Sequence, residues 1–320
     1  MIEPEELRFR AGDASLAATL TLPDTAGRHP WALLIGSWLP RDRSGAWDRH
    51  GHPSWFASDD GPGPGLFTRL ARLLAGRGVA SLRYDPRGCG ASDGDWEGTA
   101  LFTRIDDARD AIGAMRSRPD LDLRRLAIIG HGEGAGIAMS VAIGDPVVGA
   151  LGFVGPSARS LRTVLRAGAA VRSLDGTDRE HPIVAAVDRA AEELIERADR
   201  RESRMTIEID RAPTVLELAA WEQGFHTPPL ALATMLHRPV VIAHGARDAW
   251  APVTEGRLLA EVLTEAGNEP MLMVIPDAGH DLAEADDAAL EEFVAAVVER
   301  MKPHELPPVL VAIEEMNDGR

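Results

Sequence analysis

The chain has 320 residues, which is enough for one large α/β domain with an insertion and a substantial buried core. Its formal net charge of −16, from 50 acidic against 34 basic side chains, argues against binding to nucleic acid or to anionic lipid. The first residues lack the apolar stretch of a secretion signal and no run of about 18 apolar residues follows, so the sequence predicts a cytoplasmic protein without membrane contact.

The first half of the chain predicts strands that alternate with helices. Residues 6–10 and 16–22 have the pattern of a β-hairpin, and the apolar run 31–35, bounded by Pro30 and Gly36, indicates a strand covered on both faces. The following predicted elements are a helix at 66–75, a strand at 79–83, a helix at 103–116, a strand at 126–129, a helix at 137–143 and a strand at 147–154. This alternation favours a mostly parallel central sheet flanked by helices.

The alternation stops between residues 155 and 237, where charged helical patterns replace it. The predicted helices there are 161–171, 183–200 and 215–221, and no buried strand is evident. Strands at 239–243 and 271–275, with helices at 255–266 and 285–301, then resume the pattern. We therefore expect a core domain in two parts, 1–154 and 238–320, with 155–237 inserted as a helical cap over the carboxyl edge of the sheet.

A long loop at 44–65 contains aromatic side chains among Gly, Pro and Asp. It is either a surface segment held by its aromatics or a flap that lines a substrate pocket. His50 and His52 come nearest to metal-ligand spacing, but the interpretation is that no metal binds there. Cys89 is the only cysteine, so no intrachain disulfide can form.

The most informative stretch runs from a buried strand through Gly130-His131-Gly132-Glu133-Gly134 into an apolar helix. In the G-x-S-x-G pattern the middle residue lies at the tip of a sharp turn from strand to helix, and the flanking glycines let the two approach closely. Here the middle residue is Gly132 instead of serine. The sequence thus has the outline of a nucleophile elbow without its attacking oxygen.

Five motifs in this order resemble those of the α/β-hydrolase superfamily, and in particular bacterial esterase-like members. They are GSWLPRDR at 36–43, YDPRGCGAS at 84–92, GHGEG at 130–134, GARD at 245–248 and AGHD at 278–281. The resemblance covers residues 33–298 and leaves the predicted cap unmatched in detail. It implies an α/β-hydrolase fold, and it differs from the family pattern at Gly132 and at Trp38-Leu39, where the pattern has one glycine before proline.

The resemblance also implies site residues, because the family orders its triad as nucleophile, acid and histidine. The acid falls on Asp248, the base on His280, and the nucleophile position on Gly132. The oxyanion hole would use the backbone N–H of Glu133 and one near Ser37 or Trp38. Ser37 and Ser92 stand where the pattern also has serine and are interpreted as structural, while Cys89 is rejected as a replacement nucleophile. The residues expected to bind substrate are Trp38, Trp47, Trp55, Phe56 and His131.

Three functions remain open on this reading. The first is an enzyme in which His280, oriented by Asp248, acts as general base on an apolar ester, lactone, thioester or ketone, giving non-covalent hydrolysis, isomerisation, elimination or cyclisation. The second is a non-catalytic binder of small molecules, and the third is a serine esterase inactivated by Gly132. No cofactor is expected in any of them, and a homodimer is compatible with the sequence.

Overall fold

The structure, a computed structural model, describes residues 4–37, 39–48, 51–52, 65–166, 182–209, 211–303 and 311. The strands are β1 (Glu5–Ala11), β2 (Ala14–Thr21), β3 (His29–Ile35), β4 (Ala80–Tyr84), β5 (Leu121–His131), β6 (Val148–Val154), β7 (Arg204–Ile209), β8 (Ala212–Glu217), β9 (Val240–Gly245) and β10 (Met271–Ile275). The helices are Leu66–Gly76, Leu101–Met115, Glu133–Gly144, Pro182–Asp199, Leu218–His226, Pro229–Ala233, Val253–Glu265 and Asp287–Arg300. None of the described helices is long and apolar enough to cross a membrane.

Eight of these strands form one sheet in the order β1-β2-β4-β3-β5-β6-β9-β10. The first two strands form an antiparallel hairpin, β2 pairs antiparallel with β4, and the pairs from β4 to β10 are parallel. The predicted mostly parallel sheet flanked by helices is thus confirmed. Because the carboxyl ends of parallel strands meet at one edge, the loops after β3, β5, β9 and β10 lie side by side there.

Both faces of the sheet are covered, which explains the continuous apolar runs. In β3, the side chains of Trp31, Leu33 and Ile35 join a core with the helices Leu101–Met115 and Glu133–Gly144. The alternate side chains Ala32 and Leu34 join a second core with the helices Leu66–Gly76 and Asp287–Arg300. Full burial of one large apolar side chain stabilises the folded state by roughly 1.5–3 kcal/mol. Because β3 buries apolar side chains on both faces, it is typical of a strand inside a parallel sheet.

The insertion contains a β-hairpin that the sequence interpretation missed. Strands β7 and β8 pair antiparallel from Arg204 to Glu217, so the predicted helix at 215–221 is wrong in its first part and begins at Leu218 instead. Along β7 the side chains of Met205, Ile207 and Ile209 are buried and alternate with exposed polar ones, which is the period of a strand. The residues of this hairpin pack with the helix Pro182–Asp199 and with Leu39, Cys89 and Trp96 of the core domain.

The glycines on either side of the elbow are needed because strand and helix approach closely. A methyl group on Gly134 would lie 2.4 Å from the carbonyl oxygen of Ile35, and one on Gly130 would lie 2.2 Å from the carbonyl oxygen of Gly134. The expected role of these glycines is therefore supported by specific backbone contacts.

We expect Gly134→Ala to lower the free energy of unfolding by about 2–3 kcal/mol, since the new methyl group meets immobile backbone. Gly136→Ala is the matched control, because the nearest atom to its methyl group is 4.0 Å away on Pro229 and alanine favours a helix. Urea unfolding of both variants measures the difference. Equal midpoints for the two would contradict the close approach.

Candidate active site

The carboxyl edge of the sheet brings His280 and Asp248 together. Asp248 follows β9 and His280 follows β10, and these two strands are paired. The Nδ1 atom of His280 lies 2.8 Å from Oδ2 of Asp248. The other carboxylate oxygen, Oδ1, accepts hydrogen bonds from the backbone N–H groups of Trp250 and Ala251 at 2.9 and 2.8 Å. The carboxylate is therefore fixed in place and holds the imidazole so that Nδ1 donates and Nε2 is free to act as a base.

The charges of this pair stabilise each other. Burial disfavours the imidazolium of His280, but the Asp248 carboxylate and its hydrogen bond outweigh burial and raise the pKa of His280 above its usual 6.5. Burial by itself would raise the pKa of Asp248, but His280 and a hydrogen bond from His244 keep that pKa below its ordinary range. Asp248 is consequently an anion at neutral pH.

A third residue, His244 on β9, lies close to the same oxygen of Asp248 that His280 contacts. Its Nε2 atom lies 2.7 Å from the carbonyl oxygen of Ala251 and 3.3 Å from Oδ2 of Asp248. Since a carbonyl oxygen only accepts, Nε2 carries the proton. The Nδ1 atom of His244 is buried and has no partner among the described residues. The imidazole thus donates toward the acid and stabilises its ionised form.

The tip of the elbow has the strained geometry that the motif predicts. Gly132 has φ +55° and ψ −118°, directly between β5 and the helix that begins at Glu133. The N–H of Glu133 belongs to the first turn of this helix, where backbone donors have no partner within the helix and favour negative charge. The expected contribution of Glu133 to an oxyanion hole therefore stays a prediction with suitable local geometry.

Ser37 and His280 face Gly132 across a small gap. A methyl group on Gly132 would lie 2.5 Å from Ser37 Oγ and 3.1 Å from His280 Nε2. These two polar atoms therefore border the space in which an elbow side chain would stand. The interpretation of Ser37 as purely structural did not foresee this position.

A buried ion pair fixes the loop after β3 to the loop that carries His280. Arg41 binds both carboxylate oxygens of Asp281 at 2.8 Å, donates to the carbonyl of Gly45, and lies 3.9 Å above the ring of Trp47. Arg41 is 3% exposed. Since one nitrogen of Arg41 contacts both carboxylate oxygens of Asp281, this pair joins the loop that follows Ser37 to the residue next to His280.

His131 lies behind the base instead of at the pocket wall, which corrects its expected role in substrate binding. It is 2% exposed, and its ring centroid is 4.6 Å from that of His280. Its Nε2 atom is 3.2 Å from the carbonyl oxygen of His280 and 3.3 Å from Asp281. Burial, with a smaller contribution from His280, lowers the pKa of His131 to about 4 although Asp281 opposes this, so the ring is neutral and supports His280 by packing.

The YDPRGCGAS turn supports the loop that carries Ser37. The carboxylate of Asp85 accepts from the backbone N–H of Arg43 at 2.6 Å and of Ala91 at 2.8 Å, and it pairs with the Arg43 side chain at 2.7 Å. Ser92 donates to the carbonyl of Asp85 and accepts from the N–H of Ala17. The structural interpretation of Ser92 agrees with these contacts.

A pocket of about 840 Å³, including its opening to solvent, lies in front of Gly132 and His280. Its apolar lining from the insertion comprises Leu161, Val164, Leu165, Pro229 and Leu232. Ser37, Ser157 and Arg159 are among its polar side chains. A largely apolar pocket with a few polar groups at one end is typical of a small-molecule site.

The remaining expected substrate contacts have mixed outcomes. Trp47 packs against Arg41 and the hydrophobic cluster that includes Leu39, and it is not among the described residues that line the pocket, so its expected role in substrate binding stays a prediction. Trp38, Trp55 and Phe56 lie outside the described residues, as does His50. The question whether the loop at 44–65 is a flap therefore stays a prediction.

The described part of the chain contains two groups of side chains whose metal-ligand atoms lie within 4.8 Å of one another. They are Asp48, His52 and Cys89, and His131, His280 and Asp281. In the first, Asp48 accepts two backbone N–H groups, and His52 Nε2 lies 3.0 Å from a backbone carbonyl. In the second, Asp281 is bound by the Arg41 cation and His280 Nδ1 by Asp248. Hydrogen bonds within the protein thus account for both groups.

Cys89 is an unsuitable nucleophile. Its side chain is fully buried in the cluster shared with the insertion, and burial, reinforced by the charge of Asp48, raises the pKa of its thiol. Only the thiolate attacks efficiently, so the structure supports its rejection.

The sequence interpretation missed Gly155, which lies against the acid and base. Its φ is +53°, and a methyl group there would lie 2.9 Å from His280 Nδ1 and 3.0 Å from Asp248 Oδ2. A glycine directly after the apolar strand at 147–154 was the available signal. Arg41 had no comparable signal, since its role depends on a contact with a distant loop, and His244 had none because it lies in a continuous buried strand.

Known proteins share both the sequence pattern and the fold of this chain. The profile of the Alpha/beta hydrolase family matches residues 33–296. Among solved structures, GrgF, an alpha/beta hydrolase from Penicillium sp. sh18, is 17% identical with a TM-score of 0.63, covering 94% of this chain and 99% of that chain. Est1E from Butyrivibrio proteoclasticus with bound ferulic acid is 16% identical with a TM-score of 0.64, covering 92% and 99%.

An esterase domain from a Rhodothermus marinus protein is 17% identical with a TM-score of 0.61, covering 94% of this chain and 100% of that chain. At these identities the similarity to solved structures establishes the fold alone. No curated protein matches the sequence.

Proposed function

The chain belongs to the alpha/beta hydrolase family, and we propose that it is an enzyme that acts on a carbonyl-containing, largely apolar small molecule without forming a covalent bond to it. His280 is the general base and Asp248 is the acid that orients it. The reaction is hydrolysis by an activated oxygen, isomerisation, elimination or cyclisation. The observation that carries the proposal is that His280 is bound at Nδ1 by Asp248 while Nε2 faces the gap at Gly132.

The shape and lining of the pocket support this substrate class. The lining of the pocket is largely apolar, with several apolar side chains from residues 155–237, and Ser37 and His280 are among its polar side chains. The first turn of the helix at Glu133 provides a backbone donor for a developing oxyanion. An apolar molecule whose carbonyl is directed toward Gly132 would contact both the apolar lining and this backbone donor.

A pure binder has no use for an oriented base. Holding an imidazole with a buried carboxylate is costly unless the charges are compensated, and here His244 and two backbone N–H groups are also committed to Asp248. This arrangement favours proton transfer over simple binding. The same arrangement is expected in an inactivated esterase. Turnover by the unsubstituted chain distinguishes the proposed enzyme from that alternative.

The pH dependence of the reaction tests the role of His280. A general base acts in its neutral form, so the rate rises with pH through the pKa of His280, and because Asp248 raises that pKa the midpoint is expected above 6.5. Asp248→Asn removes the charge that raises the pKa, so the midpoint is expected to fall and the plateau rate to drop. Initial rates of p-nitrophenyl butyrate hydrolysis between pH 5 and 9, corrected for the rate without protein, measure both.

An unchanged midpoint in Asp248→Asn would contradict the assignment of the acid. A protein-dependent rate that does not vary across this pH range would contradict the assignment of His280 as the base.

A further inference from the structure

We propose that the gap bordered by Gly132, Ser37 and His280 is a binding site for the attacking oxygen, a water molecule or a hydroxyl group of the substrate, and that Ser37 Oγ holds this oxygen in front of His280 Nε2. The inference rests on the proposed function, because it names the group from which His280 takes the proton. It makes Ser37 a catalytic residue, since its hydroxyl contacts the reacting atom.

The first argument is the space itself. A methyl group at Gly132 would lie 2.5 Å from Ser37 Oγ, a distance that non-bonded carbon and oxygen atoms do not reach, and 3.1 Å from Ser37 Cβ, which is tighter than most such contacts. An elbow side chain and the observed position of the Ser37 hydroxyl therefore exclude each other. This arrangement is specific to an elbow with glycine at its tip.

The second argument is the unmet hydrogen bonding of Ser37. The residue is 7% exposed and lines the pocket, and its hydroxyl makes no hydrogen bond to a described residue. A hydroxyl in this position can bind a water molecule or a polar group of the substrate. The hydroxyl faces the pocket, so the partner that fits is a small oxygen-containing group in the gap.

The third argument is the position of the base on the same gap. His280 Nε2 lies 3.1 Å from the methyl position on Gly132, and no hydrogen bond joins it to Ser37 Oγ. An oxygen between the two atoms can hydrogen-bond to both. Its site is bounded on one side by a hydroxyl that can donate or accept and on the other by a nitrogen that accepts.

The chemical step balances without a bond to the protein. The bound oxygen attacks the carbonyl carbon and transfers its proton to His280 Nε2, while the carbonyl electron pair moves to the oxygen near the N–H of Glu133. On collapse, the bond to the leaving oxygen breaks and that oxygen takes the proton from His280. Water then gives a carboxylic acid, and a hydroxyl group of the same substrate gives a lactone.

The gap can be filled or widened by substitution. Gly132→Ala adds a methyl group beside the proposed oxygen site and within 2.5 Å of the observed Ser37 Oγ, so the hydroxyl must move away from that oxygen, and Ser37→Ala removes the hydroxyl that holds it. Gly78→Ala is the control for the first, because Gly78 also has a positive φ, of +75°, and no atom lies within 4 Å of its methyl position. Ser81→Ala is the control for the second, because its hydroxyl on β4 is also buried without a partner among the described residues but does not line the pocket.

The probe is p-nitrophenyl 6-hydroxyhexanoate, whose products distinguish water from an internal hydroxyl group. Hydrolysis gives 6-hydroxyhexanoic acid, cyclisation gives the seven-membered lactone, and chromatography separates them. Gly132→Ala is expected to lower formation of both products to the rate without protein, and Ser37→Ala to lower it about tenfold, the effect of one lost hydrogen bond. Gly78→Ala and Ser81→Ala are expected to retain the rate of the unsubstituted chain.

Circular dichroism and thermal melting check that each variant is folded. If folded Gly132→Ala and Ser37→Ala both retain full rates while His280→Ala loses them, the inferred site is wrong and the proposed function stands. If His280→Ala also retains full rates, the proposed function fails together with the inference. Covalent labelling of Ser37 by a fluorophosphonate, seen by peptide mass spectrometry, would overturn the inference by making Ser37 itself the nucleophile.

Discussion

Gly132→Ser combined with Ser37→Ala is expected to hydrolyse p-nitrophenyl butyrate about a hundredfold or more faster than the unsubstituted chain. A complete triad contributes on the order of 10⁶ to turnover, whereas a site without its nucleophile retains roughly 10³ to 10⁴ over water. The methylene carbon of the new serine would lie 3.1 Å from His280 Nε2, so its hydroxyl is next to the base. Asp248 already orients this base. The reaction then proceeds through an acyl-enzyme.

The second substitution is required because of the contact between Ser37 and Gly132. Gly132→Ser alone brings the new methylene to within 2.5 Å of Ser37 Oγ, so the serine at 37 must rotate and the gain is smaller. Initial rates of p-nitrophenol release by the single and double variants measure this difference. The control adds His280→Ala to the double variant and is expected to remove the gain.

A folded double variant with no gain would show that the oxyanion side of the site is unsuited to ester hydrolysis. This outcome would also exclude the reading of the chain as a serine esterase that lost only its nucleophile. A gain in the double variant is expected both for an inactivated serine esterase and for a natural non-covalent enzyme. Turnover by the unsubstituted chain distinguishes these two.

His280→Ala is expected to lower turnover by the unsubstituted chain by about 10² to 10⁴, the usual contribution of a positioned general base. Binding is expected to change by less than about tenfold, because the apolar lining of the pocket supplies most of the contact and the imidazole contributes mainly in the transition state. Asp248→Asn is expected to slow turnover strongly at nearly unchanged binding.

Rates of ester hydrolysis give the effect on turnover, and calorimetric titration with an unreactive ketone analogue of the ester gives binding. His237→Ala is the matched control, since His237 is exposed, precedes the amino end of β9 and does not line the pocket. Equal turnover in His280→Ala and His237→Ala would contradict the assignment of His280 as the base.

The fold could be predicted from the sequence because local patterns determine it, whereas the acid and base were expected from the resemblance to a known family and stay predictions. The apolar run at 31–35 fits only a strand that is covered on both faces, and the positions after β9 and β10 place Asp248 and His280 at one edge whatever the loops do in detail. The glycines at 130 and 134 predict a close approach of strand and helix. These features depend on residues that are close in the sequence or on the regular spacing of apolar residues.

The features that escaped prediction have different causes. The pairing of Arg41 with Asp281 joins residues 240 positions apart, which no local pattern shows. His131 is next to the elbow tip but faces the backbone of His280, because the strand directs alternate side chains to opposite faces. The hairpin at β7 and β8 was missed because its exposed charged side chains resemble those of a solvated helix.

Intact-mass spectrometry during turnover tests the absence of a covalent intermediate most directly. The unsubstituted chain, Gly132→Ser/Ser37→Ala, and its His280→Ala derivative are mixed with p-nitrophenyl butyrate and quenched in acid within the first turnovers. We predict no mass increase in the unsubstituted chain at any time while p-nitrophenol is released, and a butyryl adduct in the double variant. A butyryl adduct on the unsubstituted chain that forms as fast as product and maps to Ser37 or Cys89 would contradict the account.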